Sequence, residues 1–123
     1  MIFVFGSNLA GIHGAGAAKY ALQNEGAIWG KGIGHHGNSY AIPTKDERIQ
    51  TLPLWHIAEQ ITDFIAYANA HPECEFKVTQ IGCGLAGYKA SEIAPLFRDA
   101  PFNCYFDTAW KWCLPNHKYW GTM

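Results

Sequence analysis

The chain has 123 residues, a formal net charge of −1, 49% apolar residues and 15% aromatic ones. That is enough for one domain with a sizeable core and too little for two, and the near-neutral balance gives no electrostatic reason to expect nucleic acid or a membrane surface as partner. No apolar run approaches the ~20 residues of a membrane span, and Met1 to Asn8 has neither the basic segment nor the apolar length of an export signal, so a cytoplasmic location is expected.

Taken in chain order, Ile2 to Phe5 is an apolar run with β-branched and aromatic content, the pattern of a fully buried strand. Gly6, Ser7 and Asn8 break it. Gly11, Gly14 and Gly16 follow before an Ala-rich helix over 14–24, with Gly26 where a C-terminal left-handed residue belongs. Ala27 to Trp29 reads as a short strand, Gly30 to Gly37 as a flexible loop carrying His35 and His36, and Ser39 to Ile42 as a strand stopped by Pro43. A helix opens at Pro53, with Leu54, Ile57, Ala58, Ile61, Phe64, Ile65 and Ala68 at helical spacing, and ends near His71-Pro72. Phe76 to Ile81 reads as a strand followed by a second glycine cluster, Gly82 to Tyr88. Ser91 and Glu92 then start a helix, with Pro95 tolerable in its first turn. Phe102 to Phe106 is the last strand expected, and Asp107 caps a short aromatic helix bearing Trp110 and Trp112; no element is assigned from Pro115 onward. Cys74, Cys83, Cys104 and Cys113 contain no C-x-x-C pair and, with His35 and His36, fit no zinc spacing, so free thiols are expected, with no metal and no cofactor.

Strands alternating with helices predict a largely parallel sheet covered on both faces, an α/β fold. Ligands of such sheets bind beyond the carboxyl ends of the strands. Both glycine clusters directly follow a strand, so both belong at the same edge, facing one crevice suited to something flat or phosphorylated. The known phosphate motifs do not account for them. Gly30-Lys31-Gly32 lacks the Ser/Thr of a P-loop, and Gly11-Ile-His-Gly14-Ala-Gly16 reverses the dinucleotide fingerprint, with no acidic residue ending the next strand. What remains is the underlying physics: N–H groups at a helix N-terminus with no Cβ in the way attract an anion.

Phe5-Gly6-Ser7-Asn8 followed by Gly11 to Ala18 resembles the first ligand loop of macro domains, and Ile81-Gly82-Cys83-Gly84-Leu85-Ala86-Gly87 resembles their later phosphate loop. Over a longer stretch, to about Trp112, the chain is similar to small uncharacterised proteins of phages and prophages that share the segments F-G-S-N, G-A-G-A-A, Y-A-I-P-T-K-D and I-G-C-G-L-A-G-Y. The macro-domain resemblance implies a three-layer α/β/α mixed sheet and recognition of ADP-ribose or a related adenine nucleotide. It implies contacts from Gly6, Ser7, Asn8, Gly11, His13, Gly14, Ala15 and Gly16 in the first loop, and from Gly82, Cys83, Gly84, Leu85, Ala86, Gly87 and Tyr88 in the second. Macro domains that remove ADP-ribose from carboxylates or nucleobases carry a lysine in a segment like Thr44-Lys45, which gives Lys45 the catalytic lysine's position. Their aspartate directly after G-C-G-L is Ala86 here, which argues against the hydrolase.

Three functions follow. A binding protein for a nucleotide-derived host signal would suit a phage. An ADP-ribosyl or ADP-ribose-phosphate hydrolase would meet nucleic acid only as an ADP-ribosylated substrate. A structural or interaction module of the phage particle would have its glycine loops collapsed. Beside these stand plainer readings of single residues: Asn8 as a turn cap, His13 as an exposed cap, Cys83 as a small packed residue rather than a nucleophile, Tyr88 as core cover. Trp110, Trp112 and Trp120 suit core or a homo-oligomer contact better than a base-stacking platform.

Overall fold

The computed structural model describes residues 1–123. Six strands form one mixed sheet in the order β2-β3-β1-β4-β5-β6: β1 (Ile2–Asn8), β2 (Gly34–His36), β3 (Ser39–Lys45), β4 (Phe76–Val78), β5 (Cys104–Asp107) and β6 (Lys118–Gly121). All neighbours run parallel except the β2–β3 pair. Three α-helices cover the sheet: α1 (Gly16–Asn24), α2 (Leu54–Ala70) and the single turn α3 (Ala90–Ile93), which continues into a 3-10 turn over Ala94–Phe97.

The apolar run of β1 is explained by burial on both sides. Ile2 and Val4 belong to the larger core, together with Ile57, Ile61, Phe64 and Ala68 of α2. Phe3 and Phe5 belong to a smaller core on the opposite side, closed by Ala18 and Ala21 of α1. Small side chains on α1 let its backbone approach the sheet closely. The larger core is aromatic: Phe64 meets Tyr40, Phe76 and Phe97 edge-on, with ring centroids 5.0, 5.3 and 6.1 Å away.

Several elements differ from the sequence expectation. Ala27 to Trp29 is not a strand; Ile28 and Trp29 are 49% and 58% exposed, and the chain turns at Gly30 instead. The strand lies within the glycine-rich segment expected to be a loop, where β2 pairs with β3 through His35 opposite Tyr40, and where the His35 ring is hydrogen-bonded to the Tyr67 hydroxyl of α2. β4 ends at Val78, three residues before Ile81; the Thr79 N–H makes the last parallel ladder bond, to the Val4 carbonyl, and the Thr79 hydroxyl donates to the same oxygen. The aromatic helix is only a 3-10 turn over Thr108–Trp110, capped by Asp107 as expected. The unassigned tail supplies β6, held by the Trp120 indole N–H donating to the Val78 carbonyl at 2.9 Å.

Candidate functional site

Beyond the carboxyl ends of β1, β3 and β4 lies a cleft of about 550 Å³, in the range of small-molecule sites. Its floor is Gly6, Ser7 and Asn8 of β1 with Thr44 and Lys45 of β3; one wall is Gly14 to Ala18 at the start of α1, the other Gly82, Gly84, Leu85 and Ala86. Lys45 carries the only charged side chain among the lining residues, and it has no ion-pair partner.

Two rows of unpartnered donors belong to the residues that line this space. On one wall, the N–H groups of Gly14, Ala15, Gly16, Ala17 and Ala18 donate to no protein acceptor, and α1 has neither a side-chain cap nor an acidic residue in its first turn. On the other, the N–H groups of Gly84, Leu85 and Ala86 are equally without an acceptor. The helix dipole and the Lys45 ammonium add positive potential to the same space. The arrangement is suited to an anion with several oxygens.

The glycines divide by what surrounds them. A Cβ on Gly32 would lie 2.0 Å from the Asn8 carbonyl oxygen, and one on Gly11 would lie 2.3 Å from the Gly30 carbonyl carbon, so these are glycines of internal packing. Gly84 has an ordinary φ and nothing within 4 Å of its Cβ position, and Gly14 meets only the Ile12 Cγ2 at 3.9 Å. Nothing within the protein requires a glycine at either place.

Of the residues expected at a ligand, Gly6, Ser7, Asn8, Gly14, Ala15, Gly16, Gly82, Gly84, Leu85, Ala86 and Lys45 are brought together here. Gly11, His13, Cys83, Gly87 and Tyr88 do not line the cleft. His13 is 1% exposed; its Nε2 lies 3.0 and 3.1 Å from the Ile28 and Lys31 carbonyls, which makes that nitrogen the donor and leaves Nδ1 buried without a partner. It is therefore a strut for the 28–31 turn rather than an exposed cap. Cys83 packs against the larger core, and burial pushes its thiol above the ordinary value, against the needs of a nucleophile. Tyr88 packs on the same core and donates its hydroxyl to the Leu52 carbonyl at 2.6 Å. Gly87, at φ 85°, serves the turn before it. The three tryptophans form no common platform: Trp110 is fully buried, Trp112 is 91% exposed, and Trp120 lies on the sheet edge under the Lys77 ammonium.

Asn8 lines the cleft, yet its amide is engaged locally, donating to the Ile12 carbonyl at 2.8 Å and accepting the Ile12 N–H at 2.9 Å. Asp46, the nearest carboxylate to Lys45 in sequence, accepts the N–H groups of Arg48 and Gln50 at 2.8 and 3.0 Å, so it braces its own loop. That loop holds Ile49 at φ 63°, an uncommon conformation for a β-branched residue, on the rim of the cleft.

Nine further lining residues are not among those expected from the sequence: Ile12, Ala17, Ala18, Thr44 and Ile81, which adjoin expected residues, and Ile49, Thr79, Gln80 and Met123. Thr79 and Gln80 fall within a run read as strand, while Ile49 and Met123 come from segments whose approach to the cleft is set by tertiary packing alone. No group of three or more His, Cys, Asp or Glu side chains is placed to hold a metal ion. No helix is long and apolar enough to cross a membrane. No protein-family model, curated protein or solved structure matches the chain.

Proposed function

We propose that the cleft binds ADP-ribose or a related adenine-nucleotide derivative, its diphosphate lying between the two glycine loops of a macro-like three-layer domain. The observation that carries this reading is the pair of free N–H rows lining one cleft, Gly14 to Ala18 and Gly84 to Ala86, with Lys45 as the only charged side chain beside them. Neutral N–H groups stabilise a diphosphate without the desolvation cost of burying further cations. Gly14 and Gly84 keep the space that phosphate oxygens need.

Binding without turnover is the form of the activity that the side chains support. Hydrolysis of a ribosyl bond needs a group to activate water and another to protonate the leaving group. The lining offers one ammonium and no carboxylate side chain, since Ala86 carries none and Asp46 is tied to its own loop. A binder of a host nucleotide signal, consistent with the phage-protein resemblance, needs no more than this. Titration calorimetry with ADP-ribose, ADP and ribose 5-phosphate, alongside a turnover assay on ADP-ribosylated protein and nucleic acid, tests it. Saturable binding of ADP-ribose and ADP with no product supports the reading. Absence of binding by every diphosphate, or hydrolysis lost on Lys45→Ala, would overturn it.

A further inference from the structure

The cleft has a polar side chain whose orientation is set from behind. Asp107, at the end of β5, is completely buried, and its oxygens receive three N–H groups: Ala109 on Oδ1 at 2.8 Å, and the Gln80 Nε2 and the Met123 N–H on Oδ2 at 3.3 and 3.2 Å. Gln80 and Met123 both line the cleft. A carboxylate ringed by donors takes only donors, so the Gln80 amide must turn its nitrogen toward Asp107. Turned the other way, its carbonyl oxygen would oppose a buried carboxylate oxygen. The amide's carbonyl and its second N–H are thereby left, in fixed order, for a partner other than Asp107.

The position of this pair matters as much as its orientation. β1 lies between β3 and β4, so Lys45 and Gln80 stand at the ends of strands two spacings apart, roughly 10 Å at ~4.8 Å each. Residues of both glycine loops line the same cleft as Lys45 and Gln80. That span is of the order separating the phosphates of a nucleotide from the edge of its base.

We infer that Gln80, oriented by Asp107, reads the base of the bound nucleotide and selects a 6-aminopurine over a 6-oxopurine. An amide that offers an acceptor beside a donor matches the amino group and adjacent ring nitrogen of adenine. A 6-oxopurine presents an oxygen where the amino group stood, and accepting it requires Gln80 to turn its own oxygen onto Asp107. The inference rests on the nucleotide reading of the cleft and adds to it the side chain that distinguishes the base.

The test compares ADP-ribose with its hypoxanthine counterpart, IDP-ribose, by titration calorimetry on the parent protein, Asp107→Asn, Gln80→Leu and Gly84→Val. The parent is expected to favour ADP-ribose by about tenfold or more, the range of one good bidentate base contact. Asp107→Asn can face Gln80 with either end of its own amide, so the preference should shrink severalfold toward parity. Gln80→Leu should bring it to parity without depending on the fold around Asp107. Gly84→Val should weaken both ligands by the same factor. Equal affinities in the parent, with both lost in Gly84→Val, would overturn the base-reading role while leaving the nucleotide site standing. A preference that survives both Asp107→Asn and Gln80→Leu would also overturn it. Failure of both ligands to bind the parent would remove the nucleotide reading and this inference with it.

Discussion

Gly84→Val separates a ligand-shaped loop from an ordinary one. The new Cβ meets nothing within 4 Å, and Gly84 has none of the positive φ that penalises a side chain. Folding stability should therefore change by no more than about 1 kcal/mol, as for an exposed site without special contacts. The valine methyls would instead project among the free N–H groups of Gly84, Leu85 and Ala86. Hydrogen bonds to a charged phosphate contribute about 1.5–3 kcal/mol each. Preventing two of them costs about 3 kcal/mol or more, a loss of affinity of roughly a hundredfold or greater. Calorimetry with ADP-ribose reads the affinity, and a melting curve on the same sample reads the fold. Gly32→Ala is the contrasting control. Its Cβ would sit 2.0 Å from the Asn8 carbonyl oxygen, backbone against backbone, so a destabilisation of about 4 kcal/mol or more is expected. A Gly84→Val protein that melts like the parent and binds ADP-ribose equally well would refute the account of this loop.

Lys45→Ala should weaken binding of a diphosphate by about 1–3 kcal/mol, and the difference should narrow as salt rises, because the ammonium is partly open to solvent; titrations at two ionic strengths measure both. Ala86→Asp adds a carboxylate to the same cleft wall, and of single changes it is the one expected to bring ADP-ribosyl hydrolysis above background in a product assay. At high pH the protein should lose stability. Burial pushes the Cys104 thiol from 9.0 up to about 12, and burial, then the Asp63 and Tyr67 charges, push the Tyr40 hydroxyl from 10.0 up to about 12. The native state thus holds protons that the unfolded chain releases, so urea-unfolding free energies should fall as pH rises from about 9 toward 12. Cys104→Ala should remove the lower part of that decline.

The sequence made the repeating parts of this fold legible. Helix α2 is visible because Ile57, Ile61, Phe64 and Ala68 recur at the helical period and all four are buried. The apolar run of β1 marks a strand covered on both sides, and the two glycine clusters do meet at one edge of the sheet. β2 was hidden because nothing local distinguishes a three-residue strand in a glycine-rich segment; it exists through its pairing with β3 and the His35–Tyr67 contact. Conversely, Ile28 and Trp29 have strand-like side chains and no neighbouring strand to pair with, so they sit exposed in a turn. The same limit applies to the site. Which loop residues face the cleft depends on the direction in which each turn leaves its strand. His13 and Gly14 are adjacent, yet His13 is buried under the 28–31 turn while Gly14 lines the opening.

The first glycine loop is fastened from behind along much of its length. The Asn8 amide closes a ring with Ile12, the Ser7 hydroxyl donates to the Gly32 carbonyl, the Gly30 N–H donates to the Gly11 carbonyl, and His13 holds Ile28 and Lys31. None of these bonds uses the cleft's free N–H groups. A loop already fixed in this way has little chain entropy left to lose when it is occupied, and ordering a single free residue would cost on the order of 1–2 kcal/mol. Preorganisation is thus supplied by the 28–32 turn, which lies outside the cleft. Substitutions there should slow no chemistry and remove no direct contact, yet they would turn a rigid receptor into one that has to be ordered anew each time it is filled.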